Sequence, residues 1–108
     1  MKIRLLFVSF VIIGMFVSVT WGADVAAGKK AYAEKCASCH GANGEGKDTI
    51  AKVMKIEFKH LGSKEVQAKS DADLKKIITD GTGKMKPVKD VNAKMADDLV
   101  AYIRTLKQ

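Results

Sequence analysis

The sequence is poor in the residues that build most metal sites and disulfide frameworks. It has two cysteines, two histidines and one proline among 108 residues. A tetrahedral zinc site needs four protein ligands, and the chain has no second cysteine pair to complete one. It also lacks an alternating apolar pattern of useful length, internal repeats and low-complexity tracts, so neither strands nor a βαβ unit are predicted. The predicted fold class is therefore all-α.

The one long apolar run lies at the start, where residues 5–19 follow the basic residues Lys2 and Arg4. Small residues at Thr20 and Gly22 end this segment, which predicts a secretory signal peptide over residues 1–22, cleaved near Gly22/Ala23. An uncleaved membrane anchor is the alternative, although a bilayer span needs about 20 residues. We therefore expect export to the periplasm and one mature domain over residues 23–108. Loss of Lys2 and Arg4 would lower the formal net charge from +7 to +5.

Residues from Val25 into the cysteine motif predict a first helix, for which Asp24 is a suitable N-cap. The inward-facing stripe has the helical spacing of three, four and four, and consists of Val25, Gly28, Tyr32 and Cys36. Glycine costs about 1 kcal/mol of helix propensity relative to alanine. We interpret Gly28 as a point where another helix comes close; a merely tolerated glycine is the alternative.

Two further helices follow a glycine-rich loop at residues 41–48. The first of them opens at Ser70, with Asp73 in a partial capping box and Gly81 at its end, and its apolar face is Leu74, Ile77 and Ile78. The other covers residues 93–106 after Asn92, and its apolar stripe is Met95, Leu99, Tyr102, Ile103 and Leu106. A short helical turn is expected at residues 49–54, and residues 57–69 have no clear pattern.

Residues 36–40 read CASCH and contain both cysteines of the chain. A disulfide or redox pair is one alternative, but it would lack the usual βαβ context. A zinc site would have to use the distant His60 as a ligand. A purely structural role leaves His40 unexplained. C-x-x-C-H is instead the signature of covalent haem attachment. Thiols at i and i+3 project from one side of a helical turn. Cys36 and Cys39 are thus predicted to form thioethers with the haem vinyl groups, and His40 to bind the iron.

Three segments carry a family resemblance: GKKAYAEKCASCHGANGEGK, DADLKKIITDGTGKMKP and ADDLVAYIRTLK. They resemble the small class I monohaem cytochromes c of bacteria, near the cytochrome c6, c-551 and c-553 types. The resemblance implies an all-α fold in which the N-terminal and C-terminal helices cross near a right angle, with helices and loops around one covalent haem c. It also implies that Gly28 and Tyr32 meet Tyr102.

The same resemblance implies a methionine as the second axial ligand, and Met85 in GTGKMKP matches its position. A thioether favours ferrous iron and raises the potential of a histidine-ligated haem; a core gap-filler is the alternative reading of this methionine. Met95 is expected in the core, and an exposed His60 is preferred to a bis-histidine site. The haem pocket is expected to be walled by Ile50, Val53 and Met54.

One departure from the family pattern concerns the support of His40. Many members have a proline after the haem motif whose carbonyl bonds the axial histidine, whereas no proline lies between His40 and Pro87. A backbone carbonyl near Thr49 or Ile50 is expected to take this role, because such bonds orient the ring of a metal-bound histidine.

Together these features predict a one-electron carrier rather than an enzyme. Lysines near the haem motif and the methionine loop would steer it to an acidic redox protein, or form an ordinary solvated surface; they are Lys47, Lys52, Lys55, Lys59, Lys84, Lys86 and Lys89. No nucleic-acid-binding motif is present. We expect a monomer that meets membranes only through partner complexes or an uncleaved signal. The alternatives are a haem peroxidase or gas-binding module with an open sixth site, and a membrane-anchored haem subunit of a larger redox complex.

Overall fold

The computed structural model describes Gly14 and residues 22–108, so the predicted signal peptide lies almost wholly outside the described residues. The described part contains helices α1 Val25–Lys35, α2 Ala37–His40, α3 Asp48–Met54, α4 Lys64–Gln67, α5 Asp71–Asp80 and α6 Ala93–Thr105. Its β structure within this part is a single isolated bridge between Thr82 and Met85. The predicted all-α class is confirmed. None of the helices in residues 22–108 is both long and apolar enough to span a bilayer.

The three longer helices begin at the predicted polar caps. The Asp24 carboxylate accepts hydrogen bonds from the N–H groups of Ala26 and Ala27, Ser70 accepts one from Asp73, and Asn92 accepts one from Met95. These side chains satisfy N–H groups that have no partner within the helix. A fourth cap was not predicted: Ser63 starts the short helix α4 in the segment that had no clear pattern.

The main helix pair is α1 against α6, and it meets at Gly28. A Cβ added at Gly28 would lie 1.9 Å from the carbonyl oxygen of Asp98 and 3.0 Å from the Cβ of Tyr102. The rings of Tyr32 and Tyr102 are tilted by 57° with their centroids 5.2 Å apart, a favourable aromatic geometry. The contact expected from the family resemblance is therefore present.

The core lies between α1, α5 and α6, and α4 contributes Val66 to it. Its buried apolar residues are Ala31, Tyr32, Val66, Leu74, Ile78, Leu99, Val100, Tyr102 and Ile103, and Met95 packs against them as predicted. Val25 was predicted to face inward but is 45% exposed. It stands in the first turn of α1, before the crossing at Gly28, and Ala31 in the following turns is buried instead.

Two polar connections fix α6 to the rest of the chain. The buried Asp98 carboxylate accepts the backbone N–H of Asp24 at 2.7 Å and pairs with Lys94, and these two bonds lower the pKa of Asp98. At the other end, Arg104 donates to Asp71 and to the carbonyls of Gln67 and Lys69. Arg104 thus holds the junction between α4 and α5 against α6.

Gly28→Ala is expected to lower the free energy of unfolding of the folded protein by about 1–3 kcal/mol, the usual cost of overpacking. The added methyl would overlap backbone at Asp98, and this outweighs the gain in helix propensity. Denaturant titration measures the change. Lys29→Ala, at an exposed neighbour on the same helix, is the control and should stay within about 0.5 kcal/mol of the parent. Equal stability of the two variants would refute the close contact.

Candidate functional site

A single cavity gathers most of the residues singled out by the sequence. Its volume is about 510 Å³, within the range of roughly 300–1,000 Å³ typical of ligand sites. It is bordered by four parts of the chain: the end of α1, α2, the end of α3 with the residues after it, and the loop between α5 and α6. The bordering residues are Lys35, Cys36, Cys39, His40, Met54, Ile56, Phe58, Lys84, Met85, Lys86, Pro87, Val88 and Lys89.

Both cysteines border this cavity from the junction of α1 and α2. Cys36 caps α1 with its N–H bonded to the carbonyl of Tyr32, and its own carbonyl accepts the N–H groups of Cys39 and His40. Both thiols are free and partly buried. Burial raises the pKa of Cys36 to about 11, whereas the attacking cysteine of a redox pair usually has a lowered pKa.

The imidazole of His40 is the unsatisfied polar group of the site. Within the described part of the chain, its Nδ1 is the one buried side-chain nitrogen or oxygen without a hydrogen-bond partner. Burial lowers the pKa of His40, which favours the neutral imidazole that binds metals. The ring of Phe58 contacts it edge-on, with centroids 5.4 Å apart.

The Nδ1 of His40 accepts or donates no hydrogen bond within the described residues, so the carbonyl expected near Thr49 or Ile50 does not bond it. Thr49 and Ile50 lie in the first turn of α3, where carbonyls accept from residues four positions later in the helix. The backbone around His40 is held in another way. Its carbonyl accepts the N–H of Gly46 at 2.6 Å, and the carbonyl of Cys39 accepts the N–H of Lys47 at 2.9 Å.

Tyr32 connects the helix crossing to this segment. Its hydroxyl donates to the carbonyl of Gly41, the residue after His40, at 2.6 Å in the protein interior. Burial raises the pKa of Tyr32 well above its ordinary value, so the hydroxyl keeps its proton. Gly41 has a φ of +78° and ends α2, a conformation that favours glycine.

Met85 reaches the cavity from a tight turn in the loop before α6. Thr82 and Met85 exchange two backbone hydrogen bonds of 2.9 Å each, with Gly83 and Lys84 between them. Gly81 precedes this turn with a φ of +76°, and a Cβ there would lie 2.4 Å from the carbonyl oxygen of Met85. The glycine therefore lets the loop fold tightly enough to bring Met85 to the cavity that Cys36, Cys39 and His40 also border.

Of the three residues expected to wall the pocket, only Met54 borders the cavity. Ile50 is not among the bordering residues, and Val53 is 81% exposed. Both precede the end of α3 and point elsewhere, while Ile56 and Phe58 after the helix form this wall. The alternation of Ile56 and Phe58 in an extended segment was the signal available in the sequence. His60 lies outside the wall, is partly buried rather than exposed, and accepts the N–H of Gly62 at 2.8 Å.

The donors around the cavity suit a covalently attached haem. Among residues 22–108, no three His, Cys, Asp or Glu side chains cluster as a protein-only metal site would require. Two free thiols, a partly buried imidazole whose Nδ1 is buried and unpartnered, and a thioether border one largely apolar cavity instead. C-x-x-C-H supplies the attachment chemistry for haem, and imidazole and thioether are established haem ligands. An all-α shell with this site defines a c-type cytochrome.

Comparison with known proteins agrees with this class. A family model described as "Cytochrome C oxidase, cbb3-type, subunit III" matches residues 23–103. Cytochrome c-554(547) of Halothiobacillus neapolitanus is 37% identical over 90 residues, which cover 78% of this chain and 98% of that protein. The solved structure of the KustC0563 c-type cytochrome aligns with a TM-score of 0.65 and 28% identity, covering 75% of this chain and 98% of its own.

The chain belongs to this family of c-type cytochromes and is a monohaem class I cytochrome c. Its cofactor is covalently bound haem c, and Cys36 and Cys39 have the spacing of the attachment motif.

Tyr32→Phe is expected to lower the free energy of unfolding by about 1–2 kcal/mol, because the buried carbonyl of Gly41 loses its donor. The control is Tyr102→Phe, which removes the other hydroxyl of the same aromatic pair but leaves the bond from Tyr32 to Gly41 in place. Denaturant titration of the holo-proteins compares them. Equal losses for the two variants would mean that the hydroxyl of Tyr32 has no special role.

Proposed function

We propose that this protein is a one-electron carrier between redox proteins. In this proposal Cys36 and Cys39 hold the haem through thioethers, and His40 and Met85 bind the iron axially. The observation that carries the proposal is the common cavity, which four side chains from two distant segments of the chain border together.

Bound haem c supplies an iron that takes up and returns a single electron. The protein's part is to hold that iron in one geometry. The turn from Thr82 to Met85 and the backbone bonds around His40 give both proposed ligands rigid supports. The neutral thioether of Met85 would favour the ferrous state and raise the reduction potential. With both axial positions filled, no site would remain for oxygen or peroxide, which argues against the peroxidase and gas-binding alternatives.

The rim of the cavity gives the carrier a charged contact surface. Four of the bordering residues are lysines, namely Lys35, Lys84, Lys86 and Lys89, and none is acidic. A surface of one sign next to a redox centre attracts an oppositely charged partner and speeds association at low ionic strength. An acidic redox protein is therefore the partner that we propose.

The remaining parts of the proposal concern location. We infer that residues 1–22 direct export and are removed near Gly22/Ala23, which leaves a periplasmic, monomeric domain over residues 23–108. Support comes from the basic and apolar character of the leader. The relative from Halothiobacillus neapolitanus has almost the length of this domain.

Met85→Ala is expected to abolish the weak long-wavelength absorption band that marks methionine sulfur bonded to ferric iron. Covalent haem, seen in the mass of the intact protein, should remain because Cys36 and Cys39 are unchanged. Met54→Leu is the matched control, since Met54 is the other methionine that borders the cavity. If the band survived Met85→Ala and disappeared with Met54→Leu, the axial assignment would move to Met54.

Lys86→Glu combined with Lys89→Glu is expected to slow reduction by an acidic donor protein about tenfold or more at low salt. The salt dependence of the rate should also weaken, because two attractive charges at the rim become repulsive. Stopped-flow kinetics over a range of ionic strength measures both effects. Lys107→Glu changes a lysine that does not border the cavity, and it should have a smaller effect. Equal slowing at both sites would indicate a response to net charge and not to a docking surface.

A further inference from the structure

The segment that carries Met85 has few buried side chains of its own. In residues 81–89, called the methionine loop below, six of the nine residues are exposed and none is fully buried. Apart from its internal turn, the backbone of this loop is joined to α5 by two bonds of 2.9 Å, from the N–H groups of Gly81 and Val88 to the carbonyls of Ile77 and Ile78. Segments with so few buried contacts open at low free-energy cost. Side-chain hydrogen bonds that hold the loop closed therefore control access to the cavity.

The first additional tie is made by Lys84, the residue before Met85. Its ammonium donates to the carbonyl of Met54 at 2.7 Å, across 30 positions of sequence. Met54 is the last residue of α3, where carbonyls have no partner within the helix. A lysine is a favourable donor to such a helix terminus because it also complements the helix dipole. This bond joins two walls of the cavity, since Lys84 and Met54 both border it.

The second tie is made from the opposite direction. Lys35, at the C-terminal end of α1, donates its ammonium to the carbonyl of Lys89 at 3.1 Å. Lys35 and Lys89 also border the cavity. One lysine therefore reaches out from the methionine loop to α3, while another reaches into the far end of the loop from α1. Lys86, next to Met85 on its other side, makes no such bond within the described residues.

We propose that Lys84 and Lys35 are positioning residues. Their hydrogen bonds to the carbonyls of Met54 and Lys89, called the straps below, hold the methionine loop closed and thereby keep Met85 at the iron. This inference rests on the proposed ligation by Met85 but adds two residues whose role is separate from charge at the docking rim. The straps act on the balance between a closed loop, with the thioether in place, and an open loop, with the sixth position accessible.

That balance can be measured with a ligand that binds only the open form. The apparent affinity of such a ligand equals its intrinsic affinity multiplied by the open fraction. Losing one exposed, charge-assisted hydrogen bond should enlarge the open fraction by roughly three- to tenfold. The protein needs no redox partner for this measurement, so the straps can be tested independently of electron transfer.

The experiment is a titration of the ferric holo-protein with imidazole, followed by the loss of the long-wavelength band. Lys84→Gln and Lys35→Gln should each tighten apparent imidazole binding roughly three- to tenfold, because each removes one strap. Lys86→Gln removes the same charge one position after Met85 and should change it less than about twofold. Lys84→Arg, which keeps a donor of similar reach, should restore most of the parent affinity.

The outcomes separate this proposal from the one on which it rests. If the parent protein shows the methionine band but all three glutamine variants bind imidazole alike, the straps are refuted and the axial ligation stands. The straps are also refuted if Lys84→Gln and Lys35→Gln lower global stability in denaturant without changing imidazole binding relative to Lys86→Gln. If the parent lacks the band, and its main haem absorption shifts with imidazole at the same concentrations as that of Met85→Ala, the ligation itself fails, and the straps fail with it.

Discussion

The close approach of α1 to α6 at Gly28 is the contact on which the rest of the structure depends. With no side chain at this position, the backbone of α1 lies directly on the carbonyl of Asp98. This closeness brings Tyr32 and Tyr102 into contact and buries Leu99 and Ile103 around them. Because α1 ends at the cysteine motif, its placement on α6 also determines where both thiols and the imidazole stand.

The segments after the cysteine motif complete the border of the cavity. Arg104 anchors the junction before α5, and α5 in turn holds the methionine loop through Ile78. The segment after α3 adds the apolar side chains of Ile56 and Phe58, the latter in contact with the His40 ring. A chain with so small a core has little stability to spare, so a large covalently held group that fills this space is part of the folded structure and not an addition to it.

Features encoded by neighbouring residues could be predicted from the sequence. The caps at Asp24, Ser70 and Asn92 and the stripe on α6 depend on spacing within one helix. The same holds for C-x-x-C-H, whose chemistry is contained in five consecutive residues. Gly28 was identified as a close contact from its helix-propensity cost alone, and the identity of its partner came from the family resemblance.

Features that depend on tertiary placement could not be derived in this way. Ile50 and Val53 have the composition of a pocket wall, yet the position where α3 ends decides that Met54, Ile56 and Phe58 take this place. The cap at Ser63 and the bonds of Arg104 join segments that show no periodic pattern. Composition likewise does not distinguish Lys84, which bonds a distant carbonyl, from the exposed Lys86 two positions later.

The hydroxyl of Tyr32 has a consequence for how the iron site responds to an electron. Its ring belongs to the aromatic pair at the helix crossing, while its oxygen holds the peptide that follows His40. The helix crossing and the segment that carries His40 are thus held together by one side chain, and close-packed interiors resist small displacements. The packing of the two tyrosines therefore limits how far the segment that carries the proposed ligand His40 can move when the haem iron changes oxidation state.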